Sequence, residues 1–135
     1  MKRINLVTSV ERILSNDIPF LSQVGKTVRI TDPLPWIPVE IKPHASLTIS
    51  RKKEENVWMW EAKLMFKTCE DIDVNGRWVY KCGLIDGSFL LVGSKERPYA
   101  MASVVESMPE NVTENQLVEV TVSWLRTRPV PRITV

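Results

Sequence analysis

Residues 57–92 read VWMWEAKLMFKTCEDIDVNGRWVYKCGLIDGSFLLV. Over 57–68, Trp58, Trp60, Ala62, Leu64 and Phe66 alternate with Met59, Glu61, Lys63, Met65 and Lys67. A period of two with one apolar row is the pattern of a strand that buries one face. Asp73-Val74-Asn75-Gly76 then supplies a type I turn followed by a left-handed glycine. That turn sets Phe66 opposite Leu84, so the apolar row of the long strand meets Trp78, Tyr80, Cys82 and Leu84. A two-residue Asn-Gly turn would slip the register by one, opposing Trp78 to Asp73 and Cys82 to Cys69. The first register keeps charge away from the apolar row, and it predicts that Cys69 and Cys82 do not bond. Asp86-Gly87, read as a two-residue turn, pairs Leu84 with Phe89 and Cys82 with Leu91. Residues 57–93 are thus expected to form a three-stranded meander.

Asp71, Asp73, Asn75 and Gly76 also spell the opening of a calcium loop. A helix–loop–helix calcium site needs a bidentate Glu at position 12 of that loop, where this chain has Cys82, and a helix on each side. Asp, Asn and Gly are also the residues that turns require. The stretch is read as a corner, with Asp71, Asp73 and Asn75 kept as the calcium candidates and no cofactor expected.

Outward from this block, KTVRITD (26–32), ASLTIS (45–50), YAMASVVES (99–107) and QLVEVTVSWL (116–125) read as further strands, and RKKEEN (51–56) as a charged turn. Residues 4–14 admit two readings. Thr8-Ser9-Val10-Glu11 fits a capping box, whereas Ile4, Leu6, Thr8 and Val10 alternate as in a strand. The alternation leans to strand. Four prolines in 33–43 make that stretch an extended connector or a sheet edge. The expected fold is all-β: one domain over 1–135, an antiparallel sandwich or partly open barrel with room for one short helix near the N-terminus. The finish, residues 126–135, is an extended Pro/Arg arm.

With 135 residues, the chain is long enough to bury a core without metal or disulfide staples. A formal net charge of +2 gives no global argument for nucleic acid or an anionic membrane. No h-region of a signal peptide and no apolar run of membrane-helix length is visible, so a cytoplasmic location with free thiols is expected. The lone His44 follows a proline and has no identifiable acid–base partner. One His and two separated Cys make no zinc site, and no phosphate-loop, nucleophile-elbow or dinucleotide motif occurs. An enzyme is not expected.

Two features remain. The five tryptophans divide between Trp58, Trp60 and Trp78 on the predicted buried face, Trp124 on a second apolar row with Val118, Val120 and Val122, and Trp36 among prolines. Trp36 is the one expected at a surface or interface. The other feature is polar: the loop GSKERPY (93–99) with Arg97 and Tyr99, and the arm with Arg126, Arg128, Arg132 and Ile133. These are the interface candidates. The succession LLVGSKERPYA … NQLVEVTVSWLRTRPVPRI, in the last third of the chain, resembles small β-proteins of bacterial prophage-type elements. That resemblance implies structural, self-associating roles of the virion or tail-assembly kind and assigns no functional residue. The expected function is a non-catalytic assembly protein working by protein–protein contact as a homo-oligomer. The alternative is a binding module for carbohydrate or single-stranded nucleic acid that uses exposed tryptophans.

Overall fold

The computed structural model describes residues 2–19, 21–30, 33–42, 45–69, 75–107 and 117–134. The strands are β1 (Lys2–Leu14), β2 (Gln23–Val24), β3 (Thr27–Arg29), β4 (Ile37–Val39), β5 (Ser46–Glu54), β6 (Val57–Thr68), β7 (Trp78–Leu84), β8 (Phe89–Val92), β9 (Met101–Ser107), β10 (Leu117–Arg126) and β11 (Arg132–Thr134). Among the described residues the one helical element is a 3-10 turn at Ser15–Asp17. The strands form one open sheet in the order β2-β3-β11-β8-β7-β1-β5-β6-β10-β9, with β4 beside β1. The chain is all-β as expected, and the sheet is mixed because β11 runs parallel to β3.

β1 joins the two halves of this sheet. Its first residues pair with β5, Lys2 opposite Ser50 to Leu6 opposite Ser46, and its later residues pair with β7, Val7 opposite Leu84 to Leu14 opposite Trp78. A bulge falls between Val7 and Ser9. One extra residue moves every later side chain to the other face. Val7 and Val10, three residues apart, are therefore both buried, while Leu6 before the bulge is 52% exposed. The simple alternation Ile4, Leu6, Thr8, Val10 predicted for this strand is broken at the bulge.

The main core lies between the two halves. From the β5 half come Leu47, Ala62, Leu64, Phe66, Val120, Val122 and Trp124, and from the β7 half Val10, Tyr80, Cys82, Leu84, Leu90 and Val92. Each large apolar side chain enclosed here contributes about 1.5–3 kcal/mol. The two apolar rows read from the sequence are the rows that meet, but not as neighbours in a hairpin. β6 is flanked by β5 and β10, and β7 by β1 and β8. The predicted β6–β7 meander is thus corrected: both edges of β6 are occupied, and its apolar row faces that of β7 across the core. The intervening residues 70–74, including Asp71 and Asp73, lie outside the described residues, as does His44. A second, smaller core on the other face of the β7 half gathers Ile13, Ile18, Val28, Val79 and Leu91. Trp36, expected at a surface or interface, packs half-buried against this core with the Lys81 ammonium 5.1 Å from its ring.

Two turns also depart from the reading. RKKEEN is strand up to Glu54, and only Glu55 and Asn56 turn, at φ of 47° and 65°. Between β7 and β8, Gly83 pairs with Phe89 and Cys82 with Leu90, one residue off the predicted register. Gly87 N–H donates to the Leu84 carbonyl at 3.0 Å and Gly87 sits at φ +87°, so the loop is Ile85-Asp86-Gly87 with a left-handed glycine closing it. The Asp86 carboxylate accepts from Ser88 N–H at 2.9 Å and from the Ser88 hydroxyl, which holds its pKa below the usual range.

Gly93 is under tighter constraint. It sits at φ +113°, and a Cβ there would lie 3.0 Å from the Trp78 carbonyl oxygen and 3.2 Å from Val79 Cα. Both are backbone atoms of the interior strand β7 and cannot swing aside. A Cβ at Gly87 meets nothing within 4 Å. Gly93→Ala is expected to cost about 2–3 kcal/mol and Gly87→Ala about 1 kcal/mol, compared by urea unfolding of the two variants. Equal costs would contradict the close approach at Gly93.

The C-terminal arm docks, and the surface it docks on is its own domain. β11 lies between β8 and β3, Leu91 N–H donates to the Pro131 carbonyl at 3.0 Å, and Arg132 N–H donates to the Lys26 carbonyl at 2.7 Å. Val130 and Pro131 are buried, and Ile133 packs on the second core. The Pro-rich connector likewise carries a sheet edge, β4, with Pro38 opposite Glu11.

Both cysteines are free, Cys69 exposed and Cys82 buried. Burial pushes the Cys82 thiol up to about 12 from 9.0. An aromatic disulfide reagent is therefore expected to titrate one thiol in the native protein and two after unfolding. The unfolded chain releases the Cys82 proton near its ordinary pKa while the folded chain keeps it. Stability from this group is full below pH 9 and is lost as pH rises from about 9 to about 12. Cys82→Ala should flatten the fall in that window.

Candidate functional site

β9 pairs with β10 from Leu117 opposite Ser107 to Ser123 opposite Met101. Continued past Ser123, this register brings the loop 93–99 abreast of the start of the arm. Trp124 Nε1–H donates to the Pro98 carbonyl at 2.9 Å and fixes that approach. The loop is tied internally by the Ser94 hydroxyl, which donates to the carbonyls of Glu96 and Pro98, and passes through a cis Arg97–Pro98 peptide.

The result is a cleft of about 300 Å3 with Val79, Leu91 and Trp124 in its wall and Lys95, Arg97, Arg126 and Arg128 around it. Glu96 is the one carboxylate among the described residues that line it. Lys95 Nζ donates to the Ile18 carbonyl at 3.0 Å, and Arg128 donates to the Gln23 carbonyl at 2.6 Å. The Arg126 guanidinium lies 4.2 Å from the Trp124 ring centre, and its buried Nε has no hydrogen-bond partner among the described residues. Burial, with Arg128 adding repulsion, pulls the Arg126 pKa down to about 10. Guanidinium and ammonium groups of this kind pair with carboxylates and phosphates.

Arg97 also borders a second, open groove of about 770 Å3, with Arg77, Tyr99 and Met101 along it. Arg77 stacks on the Tyr99 ring at 4.1 Å and donates to its hydroxyl at 3.3 Å. The groove runs into β9, the terminal strand of the sheet. The outer edge of β9 has no partner among the described residues, Met101 is 75% exposed and Ser103 is exposed. The other free edges are shorter: β2 has two residues and β4 has three.

No family model, no curated protein and no solved structure matches the chain. The geometry therefore stands by itself.

Of the interface candidates, the fold brings Arg97, Arg126 and Arg128 together at one cleft and sets Tyr99 beside it. Trp36, Arg132 and Ile133 belong elsewhere. Lys95 and Arg77 join the site without having been singled out, and the nearness of GSKERPY to RTR could have been read from a β9–β10 register. The carbonyl of Asn75 accepts Trp78 Nε1–H at 2.9 Å, while Asp71 and Asp73 lie outside the described residues. Among the described residues no three His, Cys, Asp or Glu side chains gather as a metal group, and no helix is long and apolar enough to cross a membrane. Trp58 is 55% exposed and Trp60 half-buried, because their end of the β5–β6 hairpin projects past the core row of Ala62, Leu64 and Phe66.

Proposed function

We propose that the chain is a non-catalytic assembly protein, of the kind its resemblance to prophage-type β-proteins implies, which self-associates by pairing β9 with β9 of a second copy. The observation that supports this reading is the edge itself. β9 is a seven-residue strand at the end of an open sheet, and its sequence MASVVES contains neither Lys nor Pro and a single charge, Glu106, next to its last residue. Proteins that keep such edges monomeric place charge, proline or a bulge on them. Antiparallel pairing of the two strands about a two-fold axis would join two sheets into one, in an isologous contact. The neighbouring cations, Arg77 and Arg97, would take carboxylates of the second copy. Hydrogen exchange tests this at backbone level: β9 amides should exchange about tenfold or more slowly at high protein concentration than at low, while β10 amides do not change. Exchange of β9 independent of concentration would contradict it.

One observation favours a second reading, a small binding module. Trp58 is exposed and Arg51 lies 5.2 Å from its ring, a pairing suited to stacking on a sugar or base. Quenching of tryptophan fluorescence by an oligosaccharide or by oligo-dT, steeply salt-dependent for the latter, would support it.

A further inference from the structure

At the projecting end of the β5–β6 hairpin the two halves of the sheet part. Ile49 and Trp60 stand on one side, and Leu84, Leu90 and Val130 on the other, around a cavity of about 510 Å3. Leu84, Leu90 and Val130 are buried, while Ile49 and Trp60 are half-buried and open to solvent. The volume lies within the span of about 300–1,000 Å3 usual for small-molecule sites, and the open ends of β-barrels and sandwiches are common places for them. Apolar walls alone select only for hydrophobicity, so the rim carries the selectivity.

The rim is cationic. Lys26, Arg51 and Arg132 border the cavity, all three exposed, and among the described residues no acidic one lines it. Among the described residues none of the three forms an ion pair, and Arg132 helps to lower the pKa of Asp86 in the neighbouring turn. The Arg51 guanidinium is placed over Trp60 at 5.0 Å and over Trp58 at 5.2 Å. These cation–π contacts hold the guanidinium at the mouth and leave its N–H fork available to an oxyanion.

We propose that this mouth binds a monomeric fatty-acid-like carboxylate, with its tail between Ile49, Trp60, Leu84 and Leu90 and its head group on Arg51 and Arg132. Each methylene withdrawn from water adds to affinity, and the rim selects acid over alcohol and cation. No residue of β9 lines the cavity, so the site stands or falls separately from self-association.

Decanoate, decanol and decyltrimethylammonium are titrated below their micelle concentrations. Binding is read by tryptophan fluorescence and by displacement of anilinonaphthalene sulfonate. Decanoate should saturate, decanol should bind about tenfold more weakly, and the ammonium should not bind. Arg51→Glu with Arg132→Glu should weaken decanoate about tenfold or more. Both positions are exposed, so this variant is expected to fold, with circular dichroism as the check. Ile49→Trp, which fills the cavity, should abolish binding. Equal affinity for decanol and decanoate, an unchanged affinity in the double variant, or no saturable response to decanoate would overturn the proposal. So would binding to phosphatidylglycerol vesicles that matches or exceeds binding to the free acid.

Discussion

A chain ended after Leu125 should lose its cooperative unfolding transition. The segment removed is not an appendage, because β11 fills the place between β8 and β3. Without it, β3 loses its parallel partner and β8 becomes an edge strand. Val130 and Ile133 leave the two cores, at about 1.5–3 kcal/mol each. The hydrogen bonds from Leu91 and Arg132 are lost as well. The sum, about 5 kcal/mol or more, is comparable to the whole stability of a domain, commonly about 5–15 kcal/mol. Urea unfolding followed by near-ultraviolet circular dichroism measures this. The truncated chain should show no sigmoidal transition, or one shifted far toward zero denaturant. An unshifted midpoint would mean that the arm adds nothing to the fold.

Trp124→Ala should cost about 3–5 kcal/mol, the largest effect expected of a single substitution here. Trp124 is 1% exposed and among the largest fully buried side chains. It also links three parts of the molecule. Its ring packs in the main core, its Nε1–H holds the Pro98 carbonyl, and its face carries Arg126. The alanine variant therefore opens a cavity, leaves a carbonyl of the 93–99 loop without its donor and strands a half-buried cation. Trp124→Phe keeps a ring under Arg126 and most of the packing, and should cost about half as much. Urea midpoints of the two variants give the comparison. A loss below about 1 kcal/mol for the alanine variant would contradict the placement of Trp124.

How far the sequence carried the fold depends on what each pattern encodes. Alternation along 57–68 fixed β6 to the residue, because inward and outward side chains of one strand differ in chemistry. It also identified the row Trp78, Tyr80, Cys82, Leu84 as inward. What covers an apolar row is not written in the row. The hairpin reading supplied the nearest strand in sequence, whereas β6 found β5 and β10. The bulge at Thr8 and the extra residue in the Ile85–Gly87 loop each move the register by one; no distinctive residue marks the bulge, and Asp86-Gly87 suits a two-residue turn as well as the three-residue loop that Gly87 closes. The arm was read as extended, which it is. Its prolines argued against a central strand, yet both precede β11, whose own residues, Arg-Ile-Thr, can pair on both edges. For the site, the residue types Arg97, Arg126 and Arg128 were legible as unspent charge. Their meeting in one cleft follows from the β9–β10 register, and the apolar mouth follows from where the two halves part.

Native mass by light scattering over a range of concentrations, for the full chain and for Met101→Lys/Ser103→Lys, tests the central claim most directly. Both positions are exposed on β9, so the variant should fold as the parent does. Lysine on an exposed edge strand opposes its pairing with another edge. The full chain should rise from monomer to a dimer of about twice 15.5 kDa, and the variant should remain a monomer throughout. A full chain that stays monomeric at every concentration, or a variant that dimerises as well as its parent, would contradict assembly through β9.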